Sequence, residues 1–167
     1  LEVAEVFRDL GDEVMEVLLK SIVADEAFYV AARKAARKGL APLRNGGARS
    51  TQVTLLGGRR VSVRADYLRK DLSKRPGPKR GHGRRGKPGS GVYPALAALG
   101  IDFGVTPALA AEVARQVTDS DSVRAGRSAL ARRGIDLEYK QVLRVVNAVG
   151  QRGVEQRDAW LANALEG

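Results

Sequence analysis

"RRGIDLEYKQVLRVVNAVG", residues 132–150, is the stretch on which the fold turns. Gly134 ends one helical pattern and Asp136 opens the next, which predicts a short turn between two helices. Upstream, a helix is predicted from about Ser122 to Arg133, with Val123, Gly126 and Leu130 inward. Downstream, a long helix begins with Asp136 as its cap and turns Tyr139, Val142, Leu143 and Val146 inward. It continues through Val149, Val154, Trp160, Leu161 and Leu165, with Gly150 and Gly153 as places where it could bend. The spacing of Trp160 reads as core rather than as a ligand platform. Ile135 can plug between the two helices.

Helix, short turn, helix over residues 122–149 is the geometry of a helix-turn-helix whose second helix reads DNA. Its outward residues are expected to be Glu138, Lys140, Gln141, Arg144 and Asn147. Lys, Arg, Gln and Asn are the side chains that pair with base edges in a major groove, so Lys140, Gln141, Arg144 and Asn147 are the base-reading candidates. The plain alternative is a helical hairpin with a solvated face, since residues 90–167 hold nine acids and nine bases.

Upstream of this pair, Thr106-Pro107 offers an N-cap followed by Pro at the first helical position. Leu109, Val113 and Val117 then form a stripe to about Thr118, and "DSDS" (119–122) breaks that helix and caps the next. At the other end of the chain, Val3, Val6, Phe7, Leu10, Val14, Val17 and Leu18 share one face of an amphipathic helix whose other face is acidic. A second helix is predicted over Glu26–Lys38, with Phe28, Ala31, Ala32 and Ala35 inward, closed by Gly39. "APLRNGGARS" (41–50) reads as a loop.

Period two then replaces the helical period. Val53 and Leu55 on one arm, and Val61, Val63, Ala65 and Tyr67 on the other, flank Gly57-Gly58 as a two-residue turn. The opposite face of this β-hairpin would carry Gln52, Thr54, Arg60, Ser62, Arg64 and Asp66. A lone hairpin is marginal in water, so it needs helices or a further strand against it. The fold class is therefore mainly α with one β-hairpin (α+β). Residues 1–70 form a helical unit with the hairpin, 71–91 a basic linker arm, and 92–167 the helical unit with the helix-turn-helix.

The linker "KRPGPKRGHGRRGKPGSG" (74–91) contains seven Lys or Arg, six Gly, three Pro and no acid. It has no apolar residue to bury and is expected to be disordered when free. Charge concentrates around it. Residues 1–30 carry −6, residues 31–89 carry +16 and residues 90–167 carry zero, within a total of +10. A field of this kind gathers polyanions. Lys74, Arg75, Lys79, Arg80, Arg84, Arg85 and Lys87 are the candidate grips on a DNA backbone, with Arg60, Arg64, Arg33 and Arg37 beside them. Seven phosphate contacts would give a salt slope of about −6. An RNA partner would use the same charge, but the hairpin lacks the aromatic pattern of an RNA-recognition sheet.

Other chemistry has little to stand on. The chain has no cysteine, which excludes disulfides, thiolate zinc sites and a cysteine nucleophile, and fits a reducing compartment. His82 is the sole histidine and lies in the linker, so neither a triad nor a multi-histidine metal site can form. Asp121 and Asp136 are expected to serve as helix caps, and Asp102 and Asp119 alone suggest no metal site. The glycines do not form a P-loop. No apolar run approaches the roughly 20 residues of a membrane span. The sequence begins at Leu1 rather than Met, as a piece of a longer chain would.

"GSGVYPALAALGIDFGVTPALAAEVARQ" (89–116), the helix pair ending in the stretch quoted first, and "QRDAWLA" (156–162) together resemble the N-terminal half of bacterial insertion-sequence transposases of the ISKra4 type. The acidic helical start, the hairpin ending near Tyr67 and the Arg/Gly-rich tract before "GVYP" also fall where that family has them. The resemblance implies DNA transposition as the process and binding of double-stranded element DNA as the role of this region. It places catalysis, with its divalent metal, in an RNase H-like domain outside these 167 residues, so no catalytic, cofactor or metal residue is expected within them. A cytoplasmic location at the nucleoid follows from that reading, and self-association through the acidic first helix is a further expectation. The alternative function is a non-catalytic RNA-binding or nucleoid-associated basic protein.

Overall fold

The computed structural model describes residues 3–38, 43–70 and 91–166. Within them the chain is mainly helical with one small antiparallel sheet. The elements run α1 (Val3–Ala24), α2 (Glu26–Lys38), β1 (Leu43–Thr54), β2 (Arg60–Lys70), β3 (Gly91–Val92), α3 (Pro94–Ala98), α4 (Pro107–Thr118), α5 (Val123–Arg132) and α6 (Tyr139–Glu166). They divide into two compact units. One comprises residues 1–16, 53–61 and 101–167, and the other residues 17–52 and 62–100. Among the described residues, no helix is long and apolar enough to cross a membrane.

The second unit holds the sheet, in the order β1-β2-β3, with α2 packed on α3. Its buried residues are Leu19, Val23, Ala32, Val63, Ala65, Leu68, Ala95 and Leu96. Helix α2 has its expected limits but is turned from its expected phase. Ala32 is buried and Phe28, Tyr29, Arg33 and Ala36 are half-buried, whereas Ala31 and Ala35 are exposed. The further strand that the hairpin needed is β3, paired antiparallel to β2 through Leu68–Val92 and Arg69–Gly91.

Strand β1 replaces the expected loop from Leu43 onward. The reason is Tyr67 at the centre of the sheet. A Cβ at Gly46 would meet the Tyr67 ring and carbonyl oxygen at 2.9 Å. Gly91 leaves room for the other edge of the same ring. Glycines that weaken a strand in isolation here make space for a cross-strand aromatic. Tyr93 lies 5.0 Å from the Tyr67 ring, and the Arg49 guanidinium sits 4.5 Å above it.

The first unit is built on α4, α5 and α6, with the hairpin tip and the start of α1. Its core is Val105, Leu109, Val113, Leu130, Ile135, Leu137, Val142 and Val145. Thr106 caps α4 as expected, its hydroxyl accepting from the Leu109 N–H at 3.4 Å, with Pro107 next. The cap of α5 is Ser122 rather than Asp121; its hydroxyl accepts from the Ala125 N–H at 3.2 Å.

The hairpin turn is one residue longer than the two-residue expectation. The Leu55 N–H donates to the Arg59 carbonyl at 2.9 Å, and the Gly58 N–H to the Leu55 carbonyl at 3.0 Å. Leu56, Gly57 and Gly58 thus form a three-residue loop, with Gly58 at φ 95° in the left-handed position that such loops require. Thr54, expected on the polar face, is buried. Its backbone bridges to the segment before α4, accepting from the Thr106 N–H at 3.1 Å and donating to the Gly104 carbonyl at 2.8 Å.

Candidate nucleic-acid interface

The way α5 meets α6 depends on how the six residues between them, Arg133–Glu138, are held. Gly134 takes φ 82°, and the Ile135 N–H donates to the Leu130 carbonyl at 3.0 Å, which folds the chain back and buries Ile135. Arg127 of α5 then braces the turn. Its Nε donates to the Leu137 carbonyl at 2.6 Å, and its Nη2 lies 3.4 Å from the Asp136 carboxylate. Arg60, from the start of β2, donates through Nη2 to the Asp136 carbonyl at 2.7 Å. Asp136 is therefore an anchor for two guanidiniums and not the cap of α6, which begins at Tyr139.

These braces fix the rotation of α6. Val142 and Val145 are fully buried, and Val146 and Val149 pack against the same core. Tyr139 and Leu143, expected inward, are instead 42% and 38% exposed. The outward face carries Lys140, Arg144 and Asn147, all exposed, with Tyr139 and Leu143 along its border. Gln141 does not join them. It sits on the flank, and its Nε2 donates to the Phe103 carbonyl at 2.8 Å. Three of the four base-reading candidates therefore share one face, and the fourth holds the helix in place.

The missed pair, Tyr139 and Leu143, could not be phased from the sequence. Residues 142–149 supply apolar side chains at 142, 143, 145, 146, 148 and 149, so two different stripes fit the helical period equally well. Tyr139 places an aromatic ring, and Leu143 an apolar side chain, at the border of the face that carries Lys140, Arg144 and Asn147.

The backbone-contact candidates divide differently. Arg60 belongs to the α6 brace, as described. Arg64 is exposed on β2, in the other compact unit. Arg33 and Arg37 line an open concavity of about 510 Å3 on α2 together with Val30 and Lys34. In the same unit, burial pushes the pKa of the Tyr29 hydroxyl up, and the Asp66 carboxylate adds to that shift. Lys74, Arg75, Lys79, Arg80, Arg84, Arg85, Lys87 and His82 lie outside the described residues, as does Gly39.

Among the acids of the first unit, Glu112 on α4 accepts from Arg115 at 2.8 Å and from Arg133. These guanidiniums, Arg115 first, hold its carboxyl down at about 2. Asp102 pairs with Arg152, and Asp119 with Arg115 at 3.0 Å. Among the described residues no group of three or more His, Asp or Glu is placed to hold a metal ion.

The far half of α6 contradicts one expectation. It runs unbroken through Gly150 and Gly153, and Trp160, read as core, is 68% exposed. Comparisons with protein-family models, curated proteins and solved structures find no match to this chain.

Proposed function

We propose that this chain is a DNA-binding portion of a transposase, with α4, α5 and α6 as its sequence-reading module. The observation that carries the reading is the face of α6. A helix clamped by Val142 and Val145 on one side presents Lys140, Arg144 and Asn147 together on the other. Those residue types read base edges, and the first turns of a recognition helix are where a helix-turn-helix places them. The basic tract at 74–87 supplies sequence-independent affinity to phosphates, and the helix face supplies choice. Double-stranded DNA is the partner, and a cytoplasmic, nucleoid-associated location follows from it. Transposition as the process rests on the resemblance noted above.

The test is competition. A duplex enriched on the protein from a randomised pool is compared with its scrambled sequence and with structured RNA, at two salt concentrations. Sequence reading predicts tighter binding to the enriched duplex at both salts. Equal affinity for the two duplexes would remove the reading role of α6, and preference for RNA would favour the nucleoid or RNA-binding class.

A further inference from the structure

Helix α1 is docked by the wrong side for an ordinary amphipathic helix. Its buried residues are Asp12, Leu19 and Val23, whereas its continuous apolar stripe faces outward. Val3, Phe7, Leu10, Val14 and Val17 are 71%, 69%, 54%, 51% and 67% exposed. Their spacing alternates four, three, four and three residues. Phe7 and Val14 thus occupy one heptad position and Val3, Leu10 and Val17 the other, the 3.5-residue repeat of a two-helix seam.

We propose that α1 pairs along this seam with α1 of a second copy of this chain. Three features select that occupant. The seam repeats at the period that another helix of the same repeat accepts knob into hole, so it is self-complementary. With Val6 and Leu18, the stripe exposes on the order of 700 Å2, against about 800 Å2 per partner in a standard interface and only a few hundred in the patches of ordinary monomers. The acids of α1 do not oppose pairing. All five seam positions are apolar, Glu16 lies on the side turned away from the stripe, and Glu13, which flanks Val14, is paired with Arg59; Arg59 meets Glu13 at 3.3 Å and Glu16 at 3.0 Å. Beside the seam, a Cβ at Gly11 would meet nothing within 4 Å, which leaves room for a second backbone to come close.

This inference is independent of DNA reading, and its test involves no nucleic acid. The intact chain is examined by sedimentation velocity over a range of concentrations, alongside Leu10→Asp combined with Val14→Asp. The expected result is a dimer in the wild type and a monomer in the double variant, with unchanged helical circular dichroism because both positions are exposed. A second measurement uses the absence of native cysteine. Leu10→Cys should give a dimer with a short bis-maleimide, whereas Asp9→Cys, off the seam, should not. A monomeric wild type, an unaltered mass in the double variant or equal cross-linking at both positions would overturn the proposal.

Discussion

The Asp12 carboxylate accepts from the Gly57 N–H at 3.0 Å through Oδ1 and from the Arg59 N–H at 3.2 Å through Oδ2. Asp12 is 5% exposed, so helix α1 closes the hairpin tip with a buried charge that is hydrogen-bonded on both oxygens. Removing the acceptor leaves two turn N–H groups without a partner. Asp12→Ala should cost about 2–3 kcal/mol. Asp12→Asn keeps one carbonyl oxygen in place and should cost less. Urea denaturation of the two variants checks the order. Equal losses would mean that the one acceptor kept by Asn contributes nothing without the rest of the carboxylate.

A second prediction concerns helix spacing. A Cβ at Gly126 would lie 2.9 Å from the Val117 Cα and 2.8 Å from its Cγ2. The backbone of α4 cannot yield as a side chain would, so Gly126→Ala should push α5 outward and cost about 1–3 kcal/mol, as overpacking does. The sign is informative, because Gly→Ala inside an unconstrained helix stabilises by up to about 1 kcal/mol. A thermal melt that rises would refute the close approach.

A third prediction is a pH dependence. The Glu112 carboxyl is lowered from 4.5 to about 2 by Arg115 and Arg133. A depressed acid contributes stability that is present above its unfolded pKa and is lost as pH falls through the folded one. The window is therefore about pH 4.5 down to pH 2. Both guanidiniums are more than half exposed, so solvent screening reduces the effect to about 1–2 kcal/mol. Glu112→Gln should flatten the stability-versus-pH curve in that window and leave its shape above pH 5 unchanged, as read by urea titrations at each pH.

Much of this was legible in the sequence because local chemistry and tertiary packing agreed. Thr106-Pro107, the Leu109 and Val113 stripe, Gly126, Leu130 and Gly134 all signal through caps and period, and α4 and α5 lie where those signals put them. The misreadings share a different cause. Gly46 and Gly91 look like loop residues until Tyr67 is placed between them, a contact between residues far apart in the chain. The phase of α6 was ambiguous for a helix with six apolar positions in eight. It is settled by Arg60, Arg127 and Gln141 bracing the helix and the turn before it, and a single sequence does not reveal those partners. Helix α1 shows the opposite case. Its apolar stripe was plain, but hydrophobicity alone does not say whether a stripe faces its own core or another chain.

The last prediction separates the residues proposed to read DNA from those that hold the proposed reading helix. Lys140 and Arg144 stand on the open face of α6, and their loss leaves the fold alone. Lys140→Ala and Arg144→Ala should each reduce discrimination between an enriched and a scrambled duplex by about 1–3 kcal/mol. Arg60, also a candidate contact by sequence, donates to the Asp136 carbonyl at 2.7 Å. Arg60→Ala should therefore lower stability by about 1 kcal/mol, the worth of one such bond. Its effect on discrimination should come only through a loosened α6. Arg84→Ala with Arg85→Ala should weaken every duplex alike and shift the salt slope by about 2, one for each phosphate contact. The four outcomes form a pattern that no general basic binder reproduces. If Arg144→Ala and the Arg84 and Arg85 pair behave alike, with equal losses on both duplexes, α6 contributes charge rather than choice.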